Sequence, residues 1–349
     1  MKRGESGLSL VVGVDKPSGM TSHDVVNRCR RIFGEKRVGH TGTLDPLASG
    51  VLPICIGPAT RLGAYLTGHD KAYRATIAFG VGTDTDDCEG TVTRTGQAPV
   101  EVGDRSFAEQ AVEQMLGPQK QMPPAYSAIK VNGKKSYEAA REGHIIELSP
   151  RDIEVYSAKL IAVRPGVGEQ LPEWDVEFRV SKGTYIRALA RDLGKELGVG
   201  GYLTRLRRTR VGRFALPDDA SGLIAPEAML DTRTHTVTAH TDQKTFTNRE
   251  GQTVTRNKCV LDTPEGLAGD ERRNWLLDHA LTMEQAARGA MPALDITPEE
   301  ASELRFGRRI ERTISEPTAA IVPQTHDVAA IIERANAHQA KPVTVFPLA

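Results

Sequence analysis

Residues 39–54 read Gly-His-Thr-Gly-Thr-Leu-Asp-Pro-Leu-Ala-Ser-Gly-Val-Leu-Pro-Ile. The stretch sets one carboxylate, Asp45, in a Gly/Thr-rich loop that runs directly into an apolar segment. Asp45-Pro46 opens a turn, because proline biases its predecessor toward extended backbone and an Asp side chain bonds back to its own main chain. An Asp-Pro pair alone is a structural turn. A carboxylate fixed on a rigid platform is also how a chain presents a nucleophile.

Around that turn, short apolar runs alternate with Gly/Pro turns and a few amphipathic stretches as far as about residue 230. Residues 8–14 predict a buried strand, and Asp15-Lys16-Pro17 follows without the small-residue cleavage pattern of a signal peptide. Ser22 is placed to cap a helix whose apolar residues Val25, Val26, Cys29, Ile32 and Phe33 recur at three- and four-residue spacings before Gly34. Residues 73–79 and 174–180 show strand alternation, and residues 186–197 put Ile186, Leu189, Ala190, Leu193 and Leu197 on one helical face before Gly198. Strands without regular βαβ spacing predict an α+β (mixed α/β) fold around a central mixed, largely antiparallel sheet. Residues 231–275 turn polar and read as a solvated insertion or linker. Periodicity returns at residues 282–290, and a compact module follows from about Pro292. The expected division is a main domain over 1–230, a polar insertion or linker ending in a short helix over 231–291, and a small C-terminal domain over 292–349.

Equal numbers of basic and acidic residues, 45 each, select no partner. Their distribution says more: residues 1–215 hold 31 Lys/Arg against 25 Asp/Glu, and the remainder 14 against 20. A polyanion would meet the basic part. There, Arg28, Arg30, Arg31, Lys36 and Arg37 form one cluster, and Arg205, Arg207, Arg208, Arg210 and Arg213 form a second, although solvated faces carry such runs too. Cys29, Cys55, Cys88 and Cys259 include no Cys-x-x-Cys pair, so neither a zinc site nor a disulfide framework is indicated and the reduced thiols of a cytoplasmic protein are expected. Asp84, Asp86, Asp87 and Glu89 crowd together, but the calcium-loop spacing fails at Gly90, so a hairpin turn without metal is expected. No apolar run approaches the ~20 residues that span a bilayer, and no membrane association is expected.

His40, Thr41, Gly42, Leu44, Asp45, Pro46, Leu47, Gly50, Leu52 and Pro53 match, at its spacing, the catalytic motif of the bacterial tRNA pseudouridine synthase B (TruB) family. Lys71-Ala72-Tyr73-Arg74, residues 122–130 and Ser181-Lys182-Gly183-Thr184-Tyr185-Ile186-Arg187 resemble further motifs of that family in the expected order. The C-terminal module, clearest over residues 299–310, resembles the small PUA-like RNA-binding domain of actinobacterial members. The likeness spans residues 9–230 and the C-terminal module, and leaves 231–275 outside.

The resemblance implies an isomerase without cofactor or metal that converts the T-loop uridine at tRNA position 55 to pseudouridine. Asp45 is then the catalytic carboxylate, attacking C1′ or acting as a base at C2′. A carboxylate in a partly dry pocket stays ionised only beside a cation or hydrogen-bond donors. Arg187 is the implied partner, its planar fork suited to gripping both oxygens. Tyr73 is implied to lie against the target base, and His40 to fill the gap left by the extruded uridine. Lys182 and Tyr185 accompany Arg187 in its motif as RNA contacts, and Lys16 and Lys130 are further expected contacts. Leu206 is implied to line the pocket, with core packing as the competing reading. The expected partner is the T-arm of tRNA, engaged by a monomer without guide RNA. The alternatives are an RNA-binding or tRNA-folding factor without catalysis, and a guide-RNA-dependent synthase.

Overall fold

The computed structural model describes residues 6–127, 129–131, 134–142, 146–212, 214–219, 236–248 and 250–348. Its centre is one mixed sheet. From edge to edge the strands are Thr253–Leu261, Thr236–Thr247, Leu10–Lys16, Ser49–Ile56, Gly201–Val211, Lys71–Phe79, Glu173–Val180, Arg151–Arg164 and Gly117–Gln121. Among the described residues two neighbouring pairs are parallel, Leu10–Lys16 with Thr236–Thr247 and Ser49–Ile56 with Gly201–Val211; the rest are antiparallel. The expected mixed, largely antiparallel sheet is what the chain forms.

Glu173–Val180 follows its alternation closely, burying Trp174, Val176, Phe178 and Val180 while the residues between stay half-buried. Lys71–Phe79 departs from it. Nearly the whole strand is buried, with Thr76 donating to Asp175 at 2.7 Å, so both of its faces are covered and only Arg74 is partly open. The helix Ile186–Glu196 covers the sheet with Ile186, Leu189, Ala190 and Leu193 and stops before Gly198, whose φ of +75° suits glycine.

Two expectations require correction. The helix Ser22–Phe33 is capped by Thr21, whose side chain and that of Asp24 form a reciprocal capping box, so Ser22 is free for another task. Residues 231–275, expected as a solvated insertion or linker, include strands of the main sheet among the described residues. The strands Thr236–Thr247 and Thr253–Leu261 extend the main sheet, Leu281 pairs with Val11, and Val237, Leu261, Leu276 and Leu281 are buried. Polar side chains misled the reading because this edge hairpin buries little of its length.

The C-terminal unit is a four-stranded sheet of Ala293–Asp295, Thr318–Val322, Asp327–Arg334 and Ala340–Val345 with the helix Pro298–Arg305. Ile331 and Phe346 of this unit share one buried apolar cluster with Val11, Val51, Leu62 and Leu66, joining its core to the main sheet.

Candidate active site

Asp45 sits on the turn leading into Ser49–Ile56, and every side of that turn is tied down. Ser22 Oγ accepts from Leu44 N at 2.8 Å and donates to Leu44 O at 2.9 Å, clamping the residue before Asp45 to the first helix. Gly19 N donates to Pro46 O at 2.8 Å from the other flank. Arg208 is fully buried beneath the loop. Its Nε donates to Val51 O at 2.9 Å, Nη1 to Thr43 O at 3.3 Å and Nη2 to Gly42 O at 3.1 Å. Gly50, at φ +111°, lets the Gly201–Val211 strand approach: a Cβ there would lie 2.1 Å from Arg208 O.

Arg187, on the first turn of the Ile186–Glu196 helix, brings Nε to 2.9 Å from Asp45 Oδ2. The expected two-oxygen grip is not formed. Nη1 donates instead to Thr85 O at 2.6 Å and Nη2 to Tyr126 O at 2.9 Å, which holds the guanidinium in place beside Asp45. Nε also lies 3.7 Å from Asp87 Oδ2, so the cation stands between two carboxylates. The acidic segment is a hairpin turn, between Val81–Thr83 and Val92–Thr95. Asp87 Oδ1 accepts from Thr85 Oγ1 at 2.6 Å and from Glu89 N at 3.0 Å, and Arg191, one helical turn beyond Arg187, meets Asp86 at 3.1 Å.

An open cleft of about 720 Å³ lies over this pair. Asp45, a third exposed at its side chain, faces it, and Tyr73, Leu44, Ile186 and Leu206 supply apolar lining. Lys71, Arg151 and Lys182 also line it. Tyr73 is buried, which pushes its phenol above the usual range, while the Arg208 guanidinium hydrogen-bonded to it works the other way. Burial draws Lys71 down to about 8, with Arg208 adding to the effect. The arrangement can hold a flat ring against Tyr73 and Leu206 with the Asp45 carboxylate at its edge and basic side chains around the rim.

Residues 30–186 match the family model for the TruB family pseudouridylate synthase N-terminal domain. Residues 187–242 match that of the tRNA pseudouridylate synthase B C-terminal domain, and residues 291–347 that of the tRNA pseudouridine synthase II C terminus. The chain is 64% identical to tRNA pseudouridine synthase B of Bifidobacterium longum (strain NCC 2705), over 99% of this chain and 98% of the relative. The chain belongs to the TruB family. Its counterpart in Cutibacterium acnes (strain DSM 16379 / KPA171202) is 40% identical over 93% of this chain and 92% of the relative. TruB-family membership makes the chain a pseudouridine synthase, an isomerase. A solved H/ACA RNP bound to a substrate RNA containing 2′-deoxyuridine shares the fold, with a TM-score of 0.59 at 21% identity over 97% of this chain and 85% of that one. A Cbf5-Nop10-Gar1 complex gives 0.59 at 22% identity, over 97% and 83%.

Not every residue read from the TruB-like motifs reaches the cleft. Asp45, Tyr73, Arg187, Lys182, Tyr185 and Leu206 do. Lys16 does not present a charge to solvent: it is fully buried and donates to Pro17 O, Met20 O and Pro46 O at 2.9, 2.7 and 3.5 Å. Its place is behind the Asp45 turn, outside the cleft lining, and burial draws its pKa down to about 8. His40 ends the short strand Val38–His40, outside the cleft lining, and burial beside Arg208 and His23 holds its imidazole below its usual pKa. Lys130 opens a two-residue strand, and its side chain lies outside the described residues.

The second basic cluster is largely internal. Arg208 and Arg210 are buried, Arg207 pairs with Asp15 at 2.8 Å and Asp218 at 2.6 Å, and Arg210 pairs with Asp219. Arg205 is exposed, and Arg213 lies outside the described residues. Sequence reasoning missed Ser22, Arg208, Lys71 and Asp87 as supports of the site. The signals were present as a serine at a helix start, an arginine run and an acid cluster, each with a commoner explanation.

Proposed function

We propose that this chain isomerises the uridine at position 55 in the T-loop of tRNA to pseudouridine, acting in the cytoplasm as a monomer without guide RNA. The observation that carries this reading is the Asp45–Arg187 pair at 2.9 Å, turned toward an open cleft beside the buried Tyr73. The curated relatives that match along nearly the whole chain bear the name of a tRNA enzyme.

In this reading the uridine leaves its stack and enters the cleft, its ring against Tyr73 and Leu206. His40, kept neutral by its surroundings, stacks in the space vacated. Asp45 either bonds to C1′ as the N1–C1′ bond breaks or removes the C2′ proton. The freed uracil turns and C5 bonds to C1′ as the Asp45–C1′ bond breaks or, on the second route, as C2′ takes its proton back; the C5 proton is lost to solvent and N1 gains one. Atoms and electrons balance within the substrate. Arg187 keeps Asp45 oriented through these steps, its own position set by the Thr85 and Tyr126 carbonyls. Lys182 at the rim takes a backbone phosphate.

The test is tritium release from 5-labelled uridine in an unmodified T-arm stem-loop, supplied without any guide RNA. Wild type should release it, while Asp45→Asn should bind the stem-loop and release none. Release by Asp45→Asn at the wild-type rate overturns the assignment of the carboxylate. Absence of release by wild type overturns the function.

A further inference from the structure

Arg187 and Arg191 stand one turn apart on the helix Ile186–Glu196, and both bridge the same two segments. One is the acidic turn; the other is the stretch that follows the strand Gly117–Gln121. Arg187 donates to Thr85 O in the first and to Tyr126 O in the second. Arg191 repeats the bridge, with Nη1 3.1 Å from Asp86 Oδ2 and Nη2 donating to Met122 O at 2.8 Å. Ser127, the residue after Tyr126, lines the cleft together with Asp45 and Arg187. The second arginine therefore ties together the two main-chain segments that hold the first.

The charge of Asp86 works against the fold. Its side chain is only 10% exposed, and its φ of +62° lies in a region that few residues other than Gly, Asn and Asp hold. Leu203 N donates to Asp86 O at 3.1 Å and Asp86 N to Thr83 O at 3.3 Å, so the main chain of the turn is satisfied without the carboxylate. Burial pushes that carboxyl up to about 6, against the pull of Arg191 and Arg187, and Asp192 adds to the rise. With its pKa raised above the unfolded value, the ionised form destabilises the folded chain at neutral pH. An Asn could hold the same backbone. The carboxylate is thus costly to stability, and it sits where the supports of Arg187 meet.

The geometry points to Arg191 and Asp86 as a positioning pair for the isomerisation: by locking the acidic turn to residues 122–127 they fix the Thr85 and Tyr126 carbonyls, and through them the approach of Arg187 to Asp45. The inference rests on the function proposed above, and both residues lie outside the cleft lining. Protonation of Asp86 breaks the ion pair and leaves Arg187 on a looser frame. The charged groups that face Asp86 are Arg191, Arg187 and Asp192 of the helix, while the strand Gly201–Val211 meets it through Leu203 N. With a pKa of about 6, about nine molecules in ten carry the pair at pH 7 and about one in ten at pH 5.

The experiment follows single-turnover tritium release from a saturating T-arm stem-loop between pH 5 and 8 in the full-length protein, with the Kd of the same RNA and the melting temperature measured alongside. Wild type should slow about fivefold through a step centred near pH 6. Asp86→Asn, which keeps the side-chain shape, should react about 10-fold more slowly at pH 7.5, show no such step, and come within about twofold of wild type at pH 5. Arg191→Gln should behave likewise. Both should bind the RNA within about twofold of wild type, and Asp86→Asn should melt no lower than wild type at pH 7, because a buried charge has been removed. Asp192→Asn, which removes the half-exposed partner of Arg191 within its own helix, should keep the wild-type rate at pH 7.5. A wild-type rate in Asp86→Asn or Arg191→Gln, or a step that survives in Asp86→Asn, overturns the pair, and so do equal losses of rate and affinity, which would place it on RNA. Arg191→Gln alone decides if Asp86→Asn does not fold. Absence of release by wild type removes the proposed function itself, so the two failures give different results.

Discussion

Ser22→Ala removes one oxygen and deprives the N–H and C=O of Leu44 of the side-chain partner they share, at a site where Ser22 and Leu44 are both buried. A buried polar group left unmade costs ~1–3 kcal/mol, so the two together cost roughly 2–6 kcal/mol, the lower half applying if the turn opens to water. Opening moves Asp45, the next residue. Misplacing a reacting group by about 1 Å costs on the order of 10²-fold in rate, so a 10- to 100-fold slower single-turnover reaction is expected. Thr21→Ala is the comparison. It removes the actual helix cap, which costs ~1 kcal/mol, and leaves the Asp45 turn in place. The assay pairs the urea-unfolding midpoint, read at constant m, with tritium release at saturating RNA. Equal midpoints for the two variants, or a wild-type rate in Ser22→Ala, refute the clamp.

Arg187→Lys retains a cation but cannot meet Asp45 and the carbonyls of Thr85 and Tyr126 together, so turnover should fall roughly 10²–10³-fold with RNA affinity nearly kept; equal loss in both would make Arg187 an RNA-backbone contact. Gly50→Ala places a Cβ 2.1 Å from Arg208 O at a φ of +111°, and expression with circular dichroism should find no folded protein; a folded, active variant contradicts the strand geometry. Lys71 titrates near pH 8, is cationic below that and neutral above, and so RNA affinity at low salt should weaken as pH rises from 7 to 9. Lys71→Arg, which stays charged, should flatten that profile, and an unchanged profile removes Lys71 from the electrostatics of the cleft.

The candidate site was legible as far as its residues fall in short motifs. Asp45, Tyr73 and Arg187 meet in the cleft although 142 positions separate the first from the last. The strands and helices with strong periodicity, Glu173–Val180 and Ile186–Glu196, were legible for the same local reason. What failed depended on burial and on distant pairing. Lys16 and Arg208 look like surface cations in the sequence, yet each is buried and spends its donors on main-chain carbonyls of the Asp45 region. The 236–261 hairpin looked like a linker because an edge element needs few apolar residues, and its parallel partner lies more than 200 positions away. The approach of Arg187 to Asp45 through Nε alone was likewise unreadable, since its other two nitrogens are held by carbonyls from separate loops.

The strand Leu10–Lys16 is bounded by Ser49–Ile56 on one edge and, on the other, by residues 236–238 and 281–282. During synthesis at roughly 5–20 residues per second, its second edge waits about 10–50 s for a partner. Throughout that interval a strand carrying Val11, Val12 and Val14 offers open hydrogen-bonding groups to any neighbouring chain. A polypeptide ended near residue 230 keeps that edge for good, and should associate through it even though every residue of the cleft is present.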